Sequence, residues 1–319
     1  MSIAAIAIGR NEGERLVACL ASLKGQVDPI IYVDSGSTDG SVAAAEAAGA
    51  HVVALDMSIP FTAARARNEG LAKLRELAPE GELVQFLDGD CTLDPGWIAA
   101  ATAALEADPK LAVVCGRRRE KFPEASLWNR MIDAEWDTPI GEARACGGDA
   151  LMRRAALDEV GGYDPAMIAG EEPEMCFRMR QQGWKIARIA AEMTAHDAAM
   201  TAFSQWWKRA KRAGHAYAEG AALHGRETEE RYNMAEVRRA LFWGLALPVL
   251  ILFAALIVTP WALLLLGIYP AQIVRLIAKG FDAAEAIFLT LAKFPETQGI
   301  LTYWQSRLTG RTRRLIEYK

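Results

Sequence analysis

From Ala240 to Val274, about 35 consecutive residues carry no charged side chain, where about 20 suffice for one helix across a bilayer. A buried core segment of that length would be unusual, so this run constrains the chain more than any other feature. Pro248, Pro260 and Pro270 interrupt it, with Pro260 near its centre. Two short segments folded as a hairpin therefore fit as well as one tilted helix. Arg238 and Arg239 precede the run, and Arg275, Lys279, Arg307, Arg311, Arg313 and Arg314 follow it. Basic flanks prefer the cytoplasmic side, which favours a hairpin or re-entrant pair in the cytoplasmic (inner) membrane with both ends inside. A single span and a buried soluble helical hairpin are the competing readings. Ahead of the run, Phe203 to Arg239 is rich in Trp, Lys and Arg, including Trp206-Trp207-Lys208-Arg209, and reads as an amphipathic interfacial stretch.

The remaining N-terminal part is long enough for a catalytic domain. The 319 residues carry a formal net charge of -4, so the positive field expected of a nucleic-acid binder is missing and no nucleic-acid partner is expected. Five cysteines, an odd number with no Cys-x-x-Cys pair, argue against a disulfide framework and a zinc site and fit a reducing compartment. Ser2 to Ile8 lack a basic n-region, so no signal peptide is expected and the N-terminal domain should stay in the cytosol.

Short β-branched or aliphatic runs recur at Ile3–Ile8, Ile30–Val33, His51–Leu55, Leu83–Leu87 and Leu111–Cys115. Between them lie stretches with helical spacing at Glu14–Leu23, Ser41–Ala48, Ala63–Leu77 and Pro95–Ala107. This alternation predicts an α/β domain of βαβ units, a mostly parallel sheet with helices on both faces. Ligands on such sheets bind beyond the carboxyl ends of the strands, which draws attention to Arg10-Asn11-Glu12, Asp34–Asp39 and Asp88-Gly89-Asp90.

Phe86-Leu87-Asp88-Gly89-Asp90 is a hydrophobic strand ending in two carboxylates around a glycine. The glycine permits a tight turn in which the carboxylates face a divalent cation that also takes phosphate oxygens; most such tripeptides are nonetheless ordinary polar turns. Asp34-Ser35-Gly36-Ser37-Thr38-Asp39 follows a strand and opens a helix, which suits a nucleoside or simply caps that helix. Arg65 and Arg67 have the reach for phosphates, or lie on a helix surface. Glu171 and Glu172, at a loop-to-helix junction before Pro173, either supply a general base for an acceptor hydroxyl or cap the helix.

Taken in order, Ile8–Glu12, Val33–Asp39, Arg67-Asn68-Glu69-Gly70, Phe86–Asp90, Gly147-Gly148, Gly161-Gly162-Tyr163-Asp164 and Glu171-Glu172-Pro173-Glu174 resemble glycosyltransferase family 2 across roughly Ser2 to Asp197. The resemblance implies a GT-A fold, a Mg²⁺ or Mn²⁺ cofactor, a nucleotide-diphosphate sugar donor and inversion at the anomeric carbon. Asp88 and Asp90 match the family's DXD motif, with Asp90 as the direct metal ligand and Asp88 serving metal and donor. Asp34 matches the strand-end residue associated with the donor base. Ser35 stands where many members carry a second acid, which leaves uracil against guanine open. Asn11, Glu12, Arg65, Asn68 and Gly148 complete the expected donor side. The family's base is usually the second member of a Glu-Asp pair, which maps to Glu172, with Glu171 beside it. His196 falls where some relatives supply a further metal or phosphate ligand. Gln205-Trp206-Trp207-Lys208-Arg209 is similar to the Gln-x-x-Arg-Trp signature of processive synthases but lacks the Arg-Trp order, which argues against a polymer-extruding channel.

The expected organisation is a catalytic domain over residues 1–200, interfacial helices over 201–239, a transmembrane or re-entrant hairpin over 240–278 and a basic tail over 279–319. A membrane segment in the same chain points to an acceptor that is lipid-linked or part of a glycan. Two other classes compete. A nucleotidyltransferase would begin with a Gly-rich basic loop, whereas Gly9–Glu14 is acidic. An inactive membrane-tethered module would lack one of the carboxylates, and all are present.

Overall fold

The computed structural model describes residues 2–226 and 231–310. Two compact units divide the chain, Met1–Thr201 and Ala202–Lys319.

The first unit opens with β1 (Ile3–Gly9), α1 (Glu14–Leu23), β2 (Ile30–Asp34), α2 (Ser41–Ala47), β3 (His51–Ala54), α3 (Ala63–Leu77) and β4 (Leu83–Asp88). Two sequence-predicted helices, α1 and α3, appear with the expected bounds, because each presents a buried stripe to the sheet: Leu16, Cys19, Leu20 and Leu23 on α1, and Ala64, Ala66, Gly70, Leu71 and Leu74 on α3. Gly70 is a packing requirement, since a β-carbon there would lie 2.5 Å from Ile6 Cγ2. The unit continues through β5 (Cys91–Leu93), α4 (Trp97–Ala107), β6 (Leu111–Glu120), α5 (Leu127–Glu135), β7 (Gly141–Ala143), β8 (Ala150–Arg153), α6 (Arg154–Glu159), α7 (Glu171–Gln181) and β9 (Lys185–His196).

These strands form one nine-stranded sheet in the order β3-β2-β1-β4-β8-β6-β9-β5, with β7 paired to β9. The first four are parallel, as their helical crossovers require. Beyond them β8 runs antiparallel to both β4 and β6, and β5 and β7 run antiparallel to β9. The sheet is therefore parallel along most of its paired length, with short antiparallel strands added to it. The added strands are three or four residues long, too short for a periodic hydrophobic signal. β6 outruns its predicted length, Leu111–Cys115, and pairs in parallel with β9 through register shifts at Leu111/Val113, Cys115/Arg117 and Arg117/Arg118. These irregularities carry the charged ends of both strands to the carboxyl edge of the sheet.

The second unit consists, among the described residues, of α8 (Phe203–His224), α9 (Met234–Leu241), α10 (Leu247–Ile257), α11 (Ile268–Ala278), α12 (Ala283–Leu291) and α13 (Lys293–Thr309). α8 and α13 approach closely at glycines: a β-carbon on Gly214 would fall 1.9 Å from the Glu296 carbonyl oxygen, and one on Gly299 2.0 Å from that of Lys211. A π-turn over Phe242–Ala246 joins α9 to α10, where Pro248 has no N–H for the carbonyl four residues back. The uncharged run thus becomes two apolar helices long enough to cross a membrane by length and composition, Met234–Ile257 and Pro260–Ala278. Pro260 opens the second, capped by Thr259. Tyr269 donates to the Trp243 carbonyl at 2.6 Å, so the second segment folds back along the first. Leu256, Val258, Trp261 and Leu264 stay 72–83% exposed. The segment after Lys279, expected as a tail, contains α12 and α13. Arg311, Arg313 and Arg314 lie outside the described residues.

Candidate active site

Strand register builds the site. Ile8 pairs with Asp88 and Gly9 with Asp34, so the ends of β1, β2 and β4 stand side by side at the carboxyl edge, where an open α/β sheet binds ligands. The Gly89 amide donates to Ile8 O at 2.8 Å, and the Asp88 amide to Asp149 Oδ1 at 3.1 Å.

On the β1–β2 side Asn11, at φ 55°, joins the two loops: its amide donates to Ser37 Oγ at 2.9 Å and its Oδ1 accepts the Thr38 amide at 2.7 Å. The Asp34 carboxylate accepts the Gly36 and Ser37 amides at 3.0 and 2.9 Å and the Tyr32 hydroxyl at 3.1 Å. Ser35 Oγ is buried without a hydrogen-bond partner. Glu12 pairs with Arg15 at 2.8 Å. Two expected donor residues are spent elsewhere. Arg65 gives its guanidinium to the carbonyls of Asp56, Ile59 and Pro60 at 2.5–2.9 Å, so it holds the 56–60 loop. Asn68 grips the Tyr163 backbone, donating to its carbonyl at 2.7 Å and accepting its amide at 3.0 Å. That contact ties the Gly161–Asp164 turn to α3.

The centre of the site is Arg67, only 2% exposed. Its Nη2 lies 3.1 Å from Asp88 Oδ1, and its Nη1 2.9 Å from both Glu171 Oε1 and Glu172 Oε1. Its guanidinium also stands 5.5 Å from the Tyr163 ring centroid. Arg118 takes the other Asp88 oxygen at 3.2 Å and Asp149 at 3.3 Å, and stacks over Trp136 at 4.7 Å. Burial pushes the Asp88 carboxyl up, but Arg118 and Arg67 outweigh it and hold the group below its ordinary value. Gly148 closes over this pair: a β-carbon there would meet Arg67 Nη2 at 2.7 Å and Asp88 Oδ2 at 2.9 Å.

Asp90 and His196 form the second acidic corner, with Oδ2 and Nε2 3.4 Å apart. Ligand atoms of Asp90, Cys91 and His196 lie within 4.8 Å of one another, as do those of Asp88, Cys91 and Asp149. Burial pushes the Cys91 thiol well up, so it stays protonated and is a poor ligand. What remains, carboxylates and one imidazole, is a donor set that fits Mg²⁺ or Mn²⁺.

α7 begins at Glu171 after Gly170, whose φ of 78° suits glycine, and no side chain caps it. Glu171 and Glu172 point their charge at Arg67 instead, still beside the positive end of the helix. Burial, then the neighbouring Glu171 charge, push the Glu172 carboxyl up to about 7. Its side chain is 14% exposed against 3% for Glu171. Glu174 instead pairs with Arg178 at 2.8 Å, and Arg178 donates to the Val160 and Gly162 carbonyls.

Asp34, Asn11, Asp88, Gly148, Asp90, His196, Glu171 and Glu172 thus line one edge, whereas Arg65 and Asn68 support loops beside it. Sequence reasoning gave Arg67 no special weight over Arg65 and missed Arg118, Glu120 and Trp136. The consecutive charges of Arg117–Glu120 look like a solvated surface in sequence, and only the extra length of β6 buries Arg117 and Glu120.

A parallel βαβ half feeding an Asp-Gly-Asp turn, with an antiparallel strand beyond it, defines a GT-A-type α/β domain. The solved structure of a mannosyltransferase from Pyrobaculum calidifontis in complex with GDP-Man and Mn²⁺ shares this fold, with a TM-score of 0.66 at 19% identity over 94% of this chain and 86% of that one. The profile of Glycosyl transferase family 2 matches residues 6–161, so the first unit carries a domain of that family. Pre-mycofactocin glycosyltransferase of Mycobacterium tuberculosis is 27% identical over 201 residues, which are 59% of this chain and 41% of that protein. An O-antigen chain rhamnosyltransferase of Salmonella typhimurium is 26% identical over 215 residues, 62% of this chain and 67% of that protein. The chain therefore spans about two-fifths of the mycobacterial relative's length.

Proposed function

We propose that this protein is an inverting, cation-assisted glycosyltransferase that moves a sugar from a nucleoside diphosphate to a hydroxyl of a lipid-linked or glycan acceptor at the cytoplasmic face of a membrane. One observation carries the reading: a single buried guanidinium, Arg67, touches Asp88 of the Asp-Gly-Asp turn on one side and the Glu171–Glu172 pair on the other. A leaving-group clamp and a base are thereby held one arginine apart.

The work divides among the residues. Asp90, His196 and Asp88 would hold the cation, whose chemistry there is to neutralise the departing diphosphate. Asp34 and the 35–38 turn offer polar groups to the nucleoside, and Arg67 and Arg118 fix Asp88. Glu172, with its raised affinity for a proton and partial exposure, takes the proton of the attacking hydroxyl. A single in-line displacement needs no second carboxylate nucleophile and inverts the anomeric centre. Both apolar helices, with Arg238, Arg239, Arg275 and Lys279 at their outer ends, support a membrane-held enzyme whose acceptor arrives by lateral diffusion. The test is a panel of UDP- and GDP-sugars incubated with the full chain and Mn²⁺. Release of nucleoside diphosphate above that of a Glu172→Gln/Asp90→Asn double variant is expected for one donor class. No release from any donor would overturn the reading.

A further inference from the structure

Beside the site, β6 and β9 bring a second pair of buried guanidiniums together. Arg117 and Arg188 are each only 5% exposed. Arg117 gives Nη2 to Asp133 Oδ2 at 2.8 Å and Nη1 to the Arg118 carbonyl, while Arg188 gives Nη1 to the Ile189 carbonyl at 3.0 Å. Asp133 is firmly placed on α5, since its other oxygen accepts the Glu120 amide at 2.8 Å. The remaining N–H groups converge on one atom. Asp137 Oδ1 lies 3.5 Å from Arg117 Nε and 3.3 Å from Arg188 Nη2. Among the described residues neither Nε makes a hydrogen bond, although both are buried.

Asp137 is a loose counter-ion for so much buried charge. Its side chain is 64% exposed, it meets both guanidiniums through a single oxygen at long range, and exposed pairs of that kind contribute little. It stands in the exposed stretch 137–140, whose ends are pinned nearby: Trp136 stacks over Arg118 at 4.7 Å, and Gly141 pairs with Arg188 where β7 begins. Rotating the Asp137 side chain into solvent uncovers the two arginines and disturbs neither anchor.

The uncovered group is built for an oxyanion. Planar guanidiniums match phosphate oxygens in pairs, and without Asp137 one positive charge is left over, Arg117 and Arg188 against Asp133. A singly charged phosphodiester replaces Asp137 charge for charge. A phosphate monoester, near to a dianion at pH 8, leaves a negative charge unbalanced. The position suits the acceptor rather than the donor: the donor's diphosphate is answered at the Asp-Gly-Asp turn, whereas α7, which carries Glu172, packs against β9, which carries Arg188.

We propose that Arg117 and Arg188 form an anion site, closed by Asp137 in this structure, that holds the phosphodiester of a lipid-linked acceptor while a hydroxyl of the same molecule is delivered to Glu172. The inference rests on the transferase reading above and goes further, to how the acceptor is recognised.

The experiment titrates the full chain in nonionic detergent at pH 8, with EDTA and without nucleotide, using dimethyl phosphate and reading the broadening of its phosphorus NMR line. Wild type should bind this ion and prefer it to inorganic phosphate. Asp137→Asn keeps the shape but removes the competing charge, and should tighten binding about three- to tenfold. Arg188→Gln should weaken binding at least about tenfold; if that chain does not fold, Asp137→Asn carries the test. Arginines with a purely structural role predict no binding in wild type or no gain in Asp137→Asn, and either result overturns the proposal. Preference for inorganic phosphate overturns it too, because the charge balance would be wrong. A second arm replaces dimethyl phosphate with dodecyl methyl phosphate in the same micelles, with the gain in Asp137→Asn marking binding at the site rather than partition into detergent. Half-saturation at a concentration at least about tenfold lower is expected for a lipid-linked acceptor; equal affinity for the two diesters would overturn the lipid link in favour of a water-soluble phosphodiester. Neither arm uses a donor or a cation, so failure here leaves the transferase reading standing. Diester binding without nucleoside diphosphate release from any donor would remove that reading, and the acceptor assignment with it.

Discussion

Replacing Glu172 with Gln should abolish transfer and at the same time stabilise the protein above neutral pH. The carboxyl is pushed from 4.5 to about 7, and each unit of such a shift is worth about 1.4 kcal/mol between protonation states. The sign follows from the direction: a raised folded value means the folded chain holds this proton more tightly than the unfolded chain. Stability present below the unfolded value of 4.5 is therefore lost as pH rises through about 7. Fully ionised, the group costs the fold up to about 3 kcal/mol, and about 1–3 kcal/mol is the reasonable range, since Gln gives up an Arg67 contact and is itself partly desolvated. For a unit of this size that is a rise of roughly 2–12 °C in melting temperature at pH 8, shrinking by more than half near pH 5.5. Over the same range wild-type transfer should climb with an apparent value near 7 as the base ionises, whereas the variant falls by about two to four orders of magnitude with donor binding retained. Thermal melts at both pH values and pH–rate profiles make the comparison. A Glu172→Gln protein that is less stable at pH 8 than wild type, or one that still transfers, would refute the reasoning. If Glu171→Gln gave that pattern instead, the base would be one residue earlier.

Asp90→Asn, or EDTA, should lower turnover at least about a hundredfold, the scale of losing one contact that stabilises developing charge; full activity in either would remove the cation assignment. Arg67→Met leaves three carboxylates around a vacated charge and should destabilise the fold by about 3–5 kcal/mol at pH 8, measured by denaturant titration. Arg65→Ala instead frees only the 56–60 loop and should leave donor affinity within about threefold by calorimetry, because its donors already serve backbone carbonyls. Cysteine reporters near Gly225 and Lys319 in sealed vesicles should label from the same, cytoplasmic side; opposite labelling would favour a single span, and release of the protein by carbonate would exclude an integral hairpin.

Much of this organisation was legible because it rests on local rules. The spacing of Glu14–Leu23 and Ala63–Leu77 announced α1 and α3, and Phe86–Asp90 announced a strand that ends in carboxylates at the ligand edge. What stayed hidden depends on distant residues meeting. β8 is four residues long and finds its place only between β4 and β6. Arg65 and Arg67 look alike in sequence, and only the packing of α3 decides that Arg67 is buried among Asp88, Glu171 and Glu172. Glu120 and His196 are 76 residues apart, and no spacing rule pairs them; the register of β6 against β9 does. Taken alone, the paired glutamates suit a helix cap better than a base, and the arginine they share decides where their charge goes.

In the proposed reaction Glu172 deprotonates an acceptor hydroxyl that displaces the nucleoside diphosphate in one step, across Arg67 from the Asp-Gly-Asp turn. The most direct test is the anomeric configuration of the first-formed product, read by proton NMR from a donor of defined configuration with Mn²⁺ present. Inversion is expected, with the product's anomeric coupling opposite to the donor's and no glycosyl-enzyme detectable by mass spectrometry. Retention of configuration would contradict it, because a single base beside one acceptor oxygen has no means of producing it.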